Sequence, residues 1–342
     1  MTEMLALGIM LVSIAGAMSG TFSVPMKFTR RWEWENIWGL GSLFGLFVAL
    51  AVAFLALPDL LDIYRVSATG TLVATLLFGV GWGAGSLLFG LGVSYIGVGL
   101  GITLILGLTA CVGSMIPLLI RHPDRILQPG GLALMMGLAL MISGLSLLGF
   151  AGHKRDSDLG KTSGMAGKPF LVGLVICIGS GLLSPLANFA VVFGAPLTQE
   201  AVGRHGVGFA ASTAPWALAF AGCYGLNVIY CGYLLTVRNS ARKFSLPGTG
   251  MYWLGAFLMG ALWVGAMVVY SWGALKIGDW GPYFGFPLFM INSIVCANLW
   301  GAVLGEWRGT SAATKRVLFL GLALLLVAFA VFGFANKLIV HG

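Results

Sequence analysis

The chain has 342 residues, of which 58% are hydrophobic and only 9% charged, against about 25% charged in a soluble domain. So little polar surface cannot cover a soluble core of this length, and lipid must be the solvent for most of the outside. The net charge of +8 does not mark a nucleic-acid binder, because the 19 Lys and Arg sit almost entirely in short connectors.

Apolar runs lie at about 4–26, 37–57, 72–95, 97–120 and 130–152, and a second set at about 170–193, 206–236, 251–275, 281–304 and 316–336. The first has Glu3 where a signal peptide carries basic residues, and it is long enough to span. Backbone groups in hydrocarbon must be satisfied within their own segment, so the runs are predicted to be helices. No alternating ten-residue pattern of a membrane barrel appears. The third and fourth runs nearly touch and predict a tight hairpin. The run at 206–236 exceeds what a bilayer needs, so part of it is expected to be loop. The fold class is therefore an all-α membrane protein with ten transmembrane helices.

Numbering each connector by the span it follows, the odd connectors hold 13 of the 19 basic residues. These are Lys27, Arg30, Arg31, Lys154, Arg155, Lys161, Lys168, Arg238, Arg242, Lys243, Arg308, Lys315 and Arg316. Basic residues mark the cytoplasmic side, which predicts a multi-pass inner-membrane protein with both termini external, that is, periplasmic. The five cysteines (Cys111, Cys177, Cys223, Cys231, Cys296) fall in apolar runs without C-x-x-C or Cys/His spacing, so they read as buried inert thiols and no metal site is expected.

The two sets of five runs resemble each other weakly. Gly20, Ser23, Lys27 and Phe28 stand at the same spacing as Gly181, Ser184, Asn188 and Phe189. Trp82, Gly92, Ile96 and Gly97 match Trp263, Gly273, Ile277 and Gly278. Five spans per half is odd, so the second half enters the membrane upside down. The expected organisation is two inverted five-helix repeats, 1–152 and 170–342, joined by a cytoplasmic linker at 153–169. Inverted repeats are a transporter feature, with the substrate held near midplane where the halves meet.

Several of these stretches carry a family resemblance. Pro25, Lys27, Trp32, Trp34 and Glu35 follow the first span, and Gly101-Ile102-Thr103-Leu104-Ile105 lies in the fourth. Trp263, Tyr270 and Gly273 mark the eighth, and Gly305-Glu306-Trp307 closes the ninth. With them the chain resembles, along nearly its whole length, the L-rhamnose–proton symporter family, a branch of the drug/metabolite transporter superfamily. The resemblance implies uptake of a deoxy sugar driven by protons, and it brings Tyr270 into the candidate site. One departure stands out: the family pattern has a glutamine three positions after the eighth-span tryptophan, where this chain has Ala266.

Ser184 and Asn188 are four apart and share a helix face, with Gly181 opening the same stripe and Pro185 freeing a carbonyl. Such a surface suits a sugar, and it equally suits helix packing in which Ser and Asn bridge neighbours. Ser23 is the counterpart of Ser184 in the first span. Trp82 and Trp263 lie mid-span, whereas membrane tryptophans collect at interfaces. A sugar's C–H face over the ring and a hydroxyl on the indole N–H would use both properties, as would packing within the bundle use the ring alone. No Asp or Glu occupies a span centre, so proton coupling falls to the edges. Lys27 and Glu35 are the candidates, a carboxylate there being alternately paired with the lysine and stripped of it. The Gly79–Gly85 run lacks the Lys-Ser/Thr of a phosphate loop and reads as close helix contact.

The expected function is a secondary carrier of a sugar by proton symport, with the bilayer, a small sugar and protons as its partners and no cofactor. Export of a small metabolite or drug is the alternative within transport. An intramembrane enzyme on a lipid-linked sugar is the alternative outside it. That enzyme needs convergent acids or histidines at one face, and His122, His153, His205 and His341 are scattered over separate connectors and a tail.

Overall fold

The computed structural model describes residues 2–96, 98–160 and 170–341. Gly97, Lys161 and Lys168 lie outside the described residues, as do the side chains of Lys337 and His341. Among the described residues there are no strands, and ten helical segments are long and apolar enough to cross a membrane.

The first span is α1 (Thr2–Thr21) with a 3-10 turn at Val24–Phe28, and the second is α2 (Trp34–Ala56), followed by the short α3 (Leu60–Val66). The third and fourth, α4 (Thr69–Ile96) and α5 (Val98–Arg121), have one residue between their ends, and α6 (Pro129–Asp158) is the fifth. The sixth is divided into α7 (Phe170–Leu183), α8 (Leu186–Phe193) and α9 (Ala195–His205), and the seventh into α10 (Phe209–Thr213) and α11 (Trp216–Val237). The last three are α12 (Gly250–Ile277), α13 (Gly281–Val303) and α14 (Ala312–His341). Proline sets the interruptions, since it lacks an N–H and pushes the residue before it out of the helical region. Pro185 separates α7 from α8, Pro215 precedes α11, and Pro25 sits in the 3-10 turn. The 206–236 run does contain loop, at 206–208 and in the break at 214–215, with α10 and α11 making up the rest.

Odd and even connectors occupy opposite faces. Glu33 pairs with Lys243, and Lys27 and Arg155 both pair with Glu306, joining odd connectors to one another. The Lys243 ammonium, by hydrogen bond and charge, holds the Glu33 carboxyl below the usual carboxylate range. On the even face, Asp59 receives Arg204 at 3.1 Å and His205 at 2.8 Å, and the His205 contact above all holds the Asp59 carboxyl low.

The helix packing has a regular pattern. The first span packs on the eighth and ninth, and the sixth packs on the third and fourth. The second packs on the eighth as the seventh does on the third. The pairs second–seventh, fourth–ninth and fifth–tenth follow the same scheme, as do fourth–fifth with ninth–tenth and third–fourth with eighth–ninth, while the seventh also meets the eighth through α10. Exchanging the first five spans for the last five leaves these pairs unchanged apart from the seventh–eighth contact. Two groups result, one of spans 1, 2, 8 and 9 and one of spans 3, 4, 6 and 7, each drawing two spans from either half.

Glycine makes the contacts inside each group close. A Cβ on Gly79 would lie 2.1 Å from the Ala219 carbonyl oxygen of the seventh span, and one on Gly260 2.5 Å from the Gly45 nitrogen of the second. Gly92 meets Cys177 of the sixth span, and Gly273 meets Gly8 of the first. Gly79 and Gly260 have the same separation as the Trp82–Trp263 pair, a match hidden in the sequence among 52 glycines. Gly79→Val should force α4 and α11 apart and lower the melting temperature in detergent, at a cost of about 1–3 kcal/mol or more. Gly90→Ala, with nothing within 4 Å of its Cβ, should leave it unchanged.

Candidate substrate site between two helix bundles

At 3.6 residues per turn, Trp82 falls between the α4 face that meets the seventh span (Gly79, Gly83) and the face that meets the sixth (Gly81, Gly85). Trp263 falls likewise on α12, between Gly260 against the second span and Gly273 against the first. Each ring therefore projects out of its own group toward the other. They meet there, with centroids 5.9 Å apart and planes 29° apart. Trp82 also lies 5.4 Å from Phe220 and 6.2 Å from Trp216, and Trp263 lies 4.4 Å from Phe22 at the end of α1. Neither Trp82 nor Trp263 has a hydrogen-bond partner for its indole N–H among the described residues, and the buried Trp216 N–H also has none.

Burial is one-sided about this pair. Every residue from Tyr283 to Ile291 is buried on α13, whereas from 295 to 303 only Gly301 is. On α12, most of 264–274 is buried, but from 251 to 258 only Ala256 is. In the sixth span 187–192 are buried, and from 170 to 176 only Gly173 is. These three spans are packed shut on their even half and more exposed on their odd half, whereas the second span is the reverse, buried at 35–37 and 39–42 on its odd half.

Asn188 and Tyr270 belong to the shut half. Asn188 is 0% exposed and has its polar atoms fully engaged. Its amide nitrogen donates to the Gly113 carbonyl at 2.7 Å and the Pro282 carbonyl at 3.1 Å, and its oxygen accepts the Tyr270 hydroxyl. Pro117, inside α5, has no N–H to offer the carbonyl four residues back, which is that of Gly113. The asparagine thus takes the place of a missing backbone donor. It links the sixth and fourth spans of one group to the eighth and ninth of the other.

The remaining sequence candidates separate. Ser184 is half-buried beside Gly85, whose Cβ would lie 2.6 Å from its nitrogen, and its hydroxyl has no partner among the described residues. Ser23 is exposed where α1 gives way to the 3-10 turn. Lys27 pairs with Glu306, not with Glu35. Glu35 is 0% exposed and accepts Arg238 at 3.1 Å and the Ser240 hydroxyl at 2.8 Å. The expected Lys27–Glu35 pair is absent because the seventh connector, far away in sequence, brings Arg238 to the start of α2. Ala266 is fully buried on α12. Among the described residues no three His, Cys, Asp or Glu side chains converge as metal ligands.

Sequence reading passed over Phe22, Trp38, Ser86 and Asn227. Trp38 donates its indole N–H to Asn227 Oδ1 at 2.8 Å, and Ser86 Oγ lies 3.3 Å from the same oxygen. The mid-span position of Asn227, a polar side chain within an apolar run, was the signal that could have found them.

Comparison with known proteins covers nearly the whole chain. The family profile described as "L-rhamnose-proton symport protein (RhaT)" matches residues 1–337. A protein of Yersinia pestis (strain Pestoides F) named L-rhamnose-proton symporter is 28% identical over 344 residues, covering 97% of this chain and 98% of its own. One of the same name from Yersinia pseudotuberculosis serotype O:1b (strain IP 31758) matches equally, at 28% over 97% and 98%.

Proposed function

The chain belongs to the L-rhamnose-proton symport protein family, and from that premise we propose that it takes up L-rhamnose or a related deoxy sugar together with protons. Its relatives carry transporter names, which favours transport over catalysis on a lipid-linked sugar. The odd face is the cytoplasmic one on this reading, as its excess of Lys and Arg supports. The conformation described then opens inward. Placement within the drug/metabolite transporter superfamily, with halves 1–152 and 170–342 as inverted repeats, is supported by packing that survives exchange of the halves.

The observation that carries the substrate position is the Trp82–Trp263 stack, formed by mid-span residues of the third and eighth spans, one from each group. A 6-deoxy sugar has a methyl-bearing apolar side and a polar rim. The rings would take the first, and their free N–H groups, with Ser184 and Ser23, would take hydroxyls of the second. Asn188 and Tyr270 close the external end beside this position and would meet substrate only when it opens. Proton coupling is assigned to the inner face, to Glu35 and Lys27 in their two charged clusters.

The test is uptake of labelled L-rhamnose into proteoliposomes with and without an inward proton gradient. Gradient-dependent accumulation is expected, and a chain that neither binds nor moves rhamnose refutes the substrate. Trp82→Ala and Trp263→Ala should each weaken rhamnose binding about tenfold or more. Full affinity in both variants would remove the stack from the site.

A further inference from the structure

A stack of two indoles gives a sugar apolar contact but does little to tell one hydroxyl from another. Ser86 follows Trp82 by four residues and so shares its face of α4, one turn closer to the exposed odd half. It is half-buried, and its one hydroxyl hydrogen is shared between the Gly83 carbonyl at 2.7 Å and Asn227 Oδ1 at 3.3 Å. The 3.3 Å approach to Asn227 is the weaker of its two contacts. Asn227 does not depend on it, being held by Trp38 at 2.8 Å and by its own bond to the Cys223 carbonyl at 2.7 Å. Nor do α4 and α11 need Ser86 to stay together, since Gly79 and Gly83 already meet the seventh-span backbone. A hydroxyl that packing does not require therefore stands beside the tryptophan stack, with oxygen lone pairs to offer.

The surrounding groups fix its direction. Trp38 stacks on Trp34 with centroids 5.5 Å apart, and its centroid lies 6.3 Å from that of Phe22 in an edge-to-face contact, while Phe22 itself lies against Trp263. The indole that holds Asn227 is thus part of the same aromatic wall as the stack. Asn227 brings three spans (second, third and seventh) to one carboxamide oxygen.

Building on the transport reading above, we infer that Ser86 is a specificity-determining residue that accepts a hydrogen bond from one hydroxyl of the sugar ring. Asn227 and Trp38 are positioning residues that act through it, by setting the orientation of the Ser86 hydroxyl. The polar rim of the substrate is read here and its apolar side by Trp82 and Trp263.

The experiment measures equilibrium binding of L-rhamnose and its monodeoxy analogues to the purified full chain and to Ser86→Ala. Rhamnose affinity should fall on the order of five- to tenfold in the variant. For one analogue, the one lacking the hydroxyl that Ser86 accepts, parent and variant should bind alike. Trp38→Phe, which removes the indole N–H but keeps a ring, should give the same analogue pattern at smaller size. Equal loss for every analogue, or no loss for rhamnose, overturns the inference while the transport reading stands. A parent chain that binds none of these sugars overturns both.

Discussion

Replacing Asn188 with Ala should open the closed end of the pathway and cost the shut conformation about 2–6 kcal/mol. Two buried groups would lose their partner, the Gly113 carbonyl that Pro117 already deprives and the Tyr270 hydroxyl. A buried polar group left unpaired costs about 1–3 kcal/mol. At about 1.4 kcal/mol per factor of ten, even the middle of that range moves the balance between shut and open forms several hundredfold. Amide hydrogen exchange across 185–192 and 281–291 should rise accordingly, because the helices there exclude solvent through the contacts this side chain organises. Tyr270→Phe removes one of the three bonds and should fall between parent and Asn188→Ala. A variant with parental exchange and weakened sugar binding would return Asn188 to direct substrate contact, the role its shared face with Ser184 first suggested.

That change of expectation shows where sequence reasoning stops. The stripe of Gly181, Ser184 and Asn188 was legible because helix periodicity alone puts these residues on one face. What Asn188 binds was not, because its partner is a carbonyl made available by a proline in another span. The tryptophans were legible for a physical reason too: mid-span indoles are out of place in a membrane protein unless something buries them. Their contact with each other needed the packing, in which each helix turns its ring away from two glycine faces. Odd and even connectors could be told apart by charge, but which charges meet depends on connectors some two hundred residues apart in the chain. Glu35 was accordingly matched to the nearest lysine in sequence, although Arg238 and Ser240 hold it. Ser86 and Asn227 escaped notice because a single Ser or Asn in a glycine-rich run looks like any other small polar helix contact.

Glu35→Gln should abolish accumulation driven by a proton gradient while leaving exchange of sugar at equal concentrations. Glu35 comes from the second span, and Arg238 and Ser240 from the end of the seventh, so this cluster joins the two groups that must move against each other. A carboxylate in a low-dielectric interior holds a proton when its cation is withdrawn and releases it when the cation returns. In the conformation described, Arg238 is in place beside Glu35 at 3.1 Å. Reorientation that opens the even face would draw the seventh span from the second and part Glu35 from Arg238. Glutamine has the shape of the protonated acid and can still receive the Ser240 hydroxyl, so the conformational cycle should continue without carrying charge. A gradient of one pH unit supplies about 1.4 kcal/mol per proton and supports about tenfold accumulation at one proton per sugar. In proteoliposomes the variant should therefore reach a sugar ratio near one under that gradient, with exchange close to the parent's. Lys27→Gln provides the second arm, because Lys27 pairs with Glu306 inside one group. It should keep part or all of the accumulation that Glu35→Gln loses. Tenfold accumulation persisting in Glu35→Gln and lost in Lys27→Gln would move the proton to the Lys27–Glu306 pair.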